Sequence, residues 1–180
     1  MPTSTSNVKV NMVFCGGNVQ AKEGVSQSLS GAAIAVGDFL ARDANGKIGN
    51  LFAESSSNQT SSSSTVIAGV SHAAYPTTTA VNTIITYIPA ENEAEFLLPI
   101  VDSSNVPLAW SQAYEGHLFT LRRVQNDDAL TNLRNRYVAV YAASPTASDC
   151  PLLCVRRDPD SYKDDYAYGI FRVRESFVEV

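Results

Sequence analysis

The sequence predicts a mainly β protein, an antiparallel β-barrel or sandwich with an extended N-terminal arm and at most one short helix. Three observations predict it. Short runs rich in valine, isoleucine, phenylalanine and tyrosine recur along the whole chain. Clusters of Gly, Pro, Asn, Asp and Ser separate those runs at the spacing of turns. Only residues 126–135 read as a helix, with Asp127 or Asp128 available near its N-terminus. The chain has 180 residues, 44% of them apolar, which suits one domain with a sizeable core.

The elements follow in order. Val8, Val10, Met12 and Phe14 alternate with Lys9 and Asn11, a period-two pattern that ends at Gly16-Gly17. Such a strand either pairs outside its own domain or completes the body's own sheet, and we take the first as the expectation. Residues 20–30 are polar and weakly patterned, a mobile connection. The expected organisation is therefore an arm and connection over residues 1–30 and a β-rich body over residues 31–180.

The body opens with a hairpin. Asn45-Gly46 suits a two-residue type I′ turn, because both positions need positive φ. That turn would set Leu40 opposite Leu51 and Phe39 opposite Phe52. Ser55–Ser64 then offers no apolar anchor and reads as a solvated flap. Residues 65–70, 81–88, 95–101, 116–121, 136–142, 150–156 and 168–174 read as further strands. Many short strands at such intervals mean a barrel or sandwich.

Composition narrows the function classes. A net charge of −5 and a pI near 4.9 oppose a nucleic-acid groove, which draws on clustered Lys and Arg. No segment approaches the roughly 20 apolar residues of a membrane helix, and residues 1–7 lack the apolar stretch of a signal peptide. Synthesis in the cytoplasm is expected, with no membrane association. Three cysteines fit a reduced compartment better than a disulfide framework. Cys150 and Cys154 would stand roughly 13 Å apart along one strand, beyond disulfide reach.

Constellations that could carry chemistry are few. Gly69-Val-Ser71-His72-Ala73 approaches a nucleophile elbow, but the final glycine is missing and Ala74-Tyr-Pro-Thr-Thr will not open a helix. Asp43, Asn45 and Glu54 suggest an EF-hand loop, yet Lys47 would fall on a ligand position and Ile48 where glycine is required. Glu91, Glu93 and Glu95 flank a hairpin turn and read as solubility charges. Asp158, Asp160, Asp164 and Asp165 share a loop with Lys163. Such a loop can hold calcium, but without a ligand register it reads as a solvated turn. No catalytic residue, metal or cofactor is expected. Trp110, Tyr114 and Phe119 form the densest aromatic neighbourhood, suited to core packing or to a partner interface.

Ala35-Val-Gly-Asp-Phe-Leu, then Asn45-Gly-Lys-Ile, then Val66-Ile-Ala-Gly-Val70 resembles the start of the body domain in tailed-bacteriophage head decoration, or cement, proteins. Gly116–Leu121, Pro151–Arg156 and Tyr168–Phe177 are similar to that family's later strands, so the resemblance covers residues 31–177. It carries hydrophobic and turn patterns, with no catalytic signature. The resemblance implies a non-enzymatic virion protein on the capsid exterior that binds the major capsid protein, bridges neighbouring subunits and stabilises the shell. It also implies self-association, with a trimer favoured over a dimer. Val8, Val10, Met12, Phe14, Trp110 and Tyr114 are the interface residues expected on this reading. The alternative is a receptor- or glycan-binding β-module of a phage particle, with Trp110 lining a concave site.

Overall fold

The computed structural model describes residues 14–16, 19–27, 33–52, 59–62, 64–76, 79–91, 93–124, 137–161 and 167–178. The protein is mainly β, with a closed barrel and a second antiparallel sheet packed against it. Among the described residues twelve strands carry it: β1 (Phe14–Gly16), β2 (Lys22–Val25), β3 (Phe39–Arg42), β4 (Ile48–Asn50), β5 (Gln59–Thr60), β6 (Gly69–Ser71), β7 (Ile84–Pro89), β8 (Glu95–Val101), β9 (Leu118–Arg123), β10 (Tyr137–Val140), β11 (Leu152–Arg157) and β12 (Tyr168–Val173). The expected helix over residues 126–135 lies outside the described residues.

The larger barrel follows from β8. Its sequence, Glu-Phe-Leu-Leu-Pro-Ile-Val, does not alternate, and all seven residues are buried, as a strand covered on both faces requires. Neighbours run β8-β10-β9-β11-β12 and return to β8. Only the β8–β10 pair is parallel. Closure removes the open edges that a flat sheet would leave. A proline inside such a strand needs a place where no N–H is wanted. Ile100 N–H donates to Ala167 O on the β12 side, so the nitrogen of Pro99 points the opposite way. There it falls between Phe96, paired with β1, and Ile100, paired with β10.

The smaller sheet runs β2-β7-β6-β3-β4, antiparallel throughout. A parallel bridge between Ser26 and Ile48 draws its two outer strands together. Ile34, Leu40, Ile48, Ala68, Ile85 and Tyr87 fill its interior. Strand alternation then sends Phe39 and Val70 to the other face, into the core of the larger barrel. The Phe39 ring lies 5.5 Å from that of Phe96 and 5.2 Å from that of Tyr137. A single aromatic side chain on β3 thus joins the two sheets.

Three expectations need correction. The hairpin register is Leu40 opposite Asn50 and Arg42 opposite Ile48, and Asp43 N–H donates to Lys47 O, leaving three loop residues, 44–46, rather than two. The Asp43 carboxylate accepts from Asn45 N–H and Lys47 N–H, and Gly46 alone takes positive φ, at 76°. That is the three-residue hairpin loop with a left-handed final residue, and Asp43 selects it by satisfying two backbone donors. Leu51 and Phe52 consequently lie beyond β4, against the larger core.

Second, the serine tract is not wholly a solvated flap. β11 follows β9 only at Leu118 and Phe119, so farther along β9 that edge lacks a partner. β5 fills the gap, with Gln59 opposite Arg123 and Thr60 opposite Arg122. Ser61 is 5% exposed. Its N–H donates to Leu121 O (2.7 Å), Leu121 N–H donates to its Oγ (3.0 Å), and its hydroxyl donates to Asp149 O (3.0 Å). A serine was needed because a buried backbone donor and a carbonyl both required a partner. Ser61→Ala should therefore cost about 1–3 kcal/mol in urea unfolding, while exposed Ser64→Ala should shift stability by less than about 0.5 kcal/mol. Equal effects would place Ser61 outside the β9 edge.

Third, the described part of residues 1–30 is not a detached arm. Phe14 pairs with Phe96 and Gly16 with Glu95, while β2 pairs with β7 over four residues. The connection thus supplies a body strand, Lys-Glu-Gly-Val, through backbone hydrogen bonds that composition does not reveal. Val8, Val10 and Met12 lie outside the described residues.

Candidate interaction surface

The described members of the sequence-predicted groups each have a definite place. Ser71 is buried on β6 and donates its hydroxyl to Ala73 O at 2.6 Å, while His72 is exposed and its N–H donates to Thr86 O. Nothing in that local geometry presents Ser71 Oγ to a substrate. The three glutamates diverge as well. Glu91 forms an ion pair with Lys22, and Glu93 is exposed. Glu95 is buried, its two carboxylate oxygens held by Arg156 Nη2 (2.8 Å) and Arg172 Nη2 (2.9 Å). It is a clamp across β8, β11 and β12 rather than a solubility charge. Among the described residues no group of three or more His, Cys, Asp or Glu could hold a metal ion. Asp158 is buried, and Asp164 and Asp165 lie outside the described residues.

The aromatic pair splits. A 3₁₀ turn at Gln112–Tyr114, opened by Ser111 Oγ accepting from Ala113 N–H, tucks Tyr114 inward. Tyr114 is 7% exposed, with its ring 4.9 Å from Tyr141 and 5.8 Å from Phe119. Burial, and then Tyr141, push its phenol above the ordinary range. Tyr114 is therefore a core residue, a correction to its expected interface place. Trp110 packs edge-on against it at 5.6 Å and stays partly exposed.

Cys150 and Cys154 are both free and buried. Burial, with a smaller effect from Glu115, pushes the Cys154 thiol up to about 12. Near neutral pH almost no thiolate forms, so native Cys154 should resist iodoacetamide at about pH 8 and react only on unfolding. Modification of the folded protein at the rate of a free peptide thiol would contradict this burial.

A group that the sequence reading missed remains. Val25 and Ile84 are register partners at the end of the β2–β7 ladder, yet they are 42% and 59% exposed. Val81, 47% exposed, sits in the adjoining turn, where Asn82 N–H donates to Ser26 O. Val25 and Ile84 thus stand side by side in solvent, with exposed Val81 three residues before Ile84 in the sequence. Single exposed valines are ordinary, but a contiguous apolar group marks a contact. Val25 escaped notice because residues 20–30 look polar.

No protein-family model, curated protein or solved structure matches the chain. The functional reading therefore rests on the residues and their arrangement. Of the expected interface set, Trp110 keeps an exposed surface, and Phe14 opens β1. Val25, Val81 and Ile84 join as the apolar contact candidates.

Proposed function

We propose that the chain is a structural decoration protein, which binds the outside of a phage head and bridges neighbouring capsid subunits. The exposed group Val25, Val81 and Ile84 carries the reading that the protein works by contact with another protein. The resemblance over residues 31–177 supplies the class of partner, a major capsid protein. A two-sheet body joined through Phe39 suits a load-bearing part, because force on either sheet is shared by one packed core. Self-association on the capsid exterior belongs to the same reading.

The variant Val25→Asp with Ile84→Asp tests the contact. Both positions are exposed, so the melting transition should shift by less than about 1 kcal/mol. Binding to heads lacking the protein should fall by roughly tenfold or more, since charges would be forced into an apolar contact. Unchanged binding would remove these residues from the interface.

A further inference from the structure

We infer that the outer face of β11 and β12 is a docking strip for an extended acidic segment of the partner protein, one that presents a carboxylate at every second residue. The inference rests on the reading that the chain acts by binding another protein. It names the chemistry of what is bound.

The chain is acidic, yet four of its nine arginines stand on β11, on β12 or just past its end: Arg156, Arg157, Arg172 and Arg174. Three of these are held in place by the fold. Glu95 fixes Arg156 and Arg172 through one nitrogen each. Arg174 Nη1 donates to Ala147 O (2.6 Å) and Cys150 O (2.9 Å), and its guanidinium lies 5.6 Å from the centre of the Phe177 ring. Each guanidinium keeps further donors beyond those bonds. Side chains already ordered lose less freedom on binding, which is the usual cost of an arginine contact.

Spacing then selects the ligand. Arg172 lies in β12 and Arg174 just past its end, where the backbone stays extended (φ −70°, ψ 143°), so the two are two residues apart on extended chain, share a face and stand roughly 6.6 Å apart. An extended peptide with acidic residues at i and i+2 repeats at the same distance. Both arginines line an open hollow of about 440 Å³, together with Leu153, Glu175 and Ser176. Leu153 is the register partner of Arg172, so its side chain rises on the same face and can meet the apolar stem of a glutamate. Glu175 in the same lining and the chain's net charge of −5 disfavour a long polyanion such as nucleic acid.

The test is fluorescence anisotropy with a labelled ten-residue peptide of alternating glutamate and threonine, alongside its glutamine counterpart. The glutamate peptide should bind roughly tenfold or more tightly than the glutamine peptide, and should weaken as salt rises from about 0.05 to 0.3 M. Leu153→Glu, which sets a carboxylate in the hollow, should abolish the difference while the melting temperature holds. If that variant does not fold, Glu175→Lys at an exposed position should strengthen binding instead. Equal affinity for the two peptides, indifference to these substitutions, full displacement by millimolar inorganic phosphate, or tighter binding of a single-stranded oligonucleotide would each overturn the inference. A chain that pellets with heads but ignores the glutamate peptide would overturn the strip and leave the decoration reading standing.

Discussion

Phe39→Ala should destabilise the protein by about 3–5 kcal/mol, the cost of removing a fully buried phenylalanine ring from a packed core. Phe39 is 0% exposed and lies on β3 of the smaller sheet, but its ring packs on Phe96 and Tyr137 of the larger barrel. The loss therefore falls on the seam between the sheets. For a chain of this size the melting temperature should drop by roughly 6–20 °C. Calorimetry should also show a broader or split transition, because the two sheets lose their main shared side chain. A shift smaller than that of Ser61→Ala would mean that the seam is not held by this ring.

Gly69→Ala should act as strongly by the opposite route, overfilling instead of emptying. β6 approaches β7 so closely that a Cβ on Gly69 would strike the carbonyl oxygen of Ile88, with Tyr87 Cδ2 at 2.7 Å. The obstacle is backbone, which cannot rotate aside as a side chain can. The ladder itself must shift, at a cost of about 3 kcal/mol. Urea denaturation should show the lower midpoint with the denaturant slope unchanged. An unaltered midpoint would mean that β6 and β7 stand farther apart.

These two positions also show how much the sequence reveals. Residues 65–70 read as a buried strand from their apolar run, of which Gly69 and Val70 fall in β6, and β8, β9, β10, β11 and β12 lie close to their expected spans, because burial leaves a direct mark on composition. Elements built by backbone pairing or by one polar side chain left no such mark. β2 is Lys-Glu-Gly-Val, β5 is Gln-Thr, and both exist because a neighbouring strand offered an unpaired edge. The hairpin at Asn45-Gly46 was legible as a hairpin, but its register was set by the Asp43 carboxylate, which a pair preference does not count. Glu95 looked like a turn charge because the two arginines that hold it are 61 and 77 residues away in sequence. The apolar contact group was half visible, in Val81 and Ile84 at the start of an apolar run. Its third member, Val25, meets Ile84 only through the β2–β7 register.

The central claim is that the chain binds the outside of a phage head by protein contact. Co-sedimentation measures it most directly: purified protein is mixed with heads stripped of their outer proteins, and the pelleted amount is followed against concentration. The account predicts saturable binding at a fixed ratio to the major capsid protein, complete by about 10 μM, an affinity ordinary for a standard protein interface. Protein that stays in the supernatant at that concentration, or pellets in proportion to concentration without saturating, would contradict it.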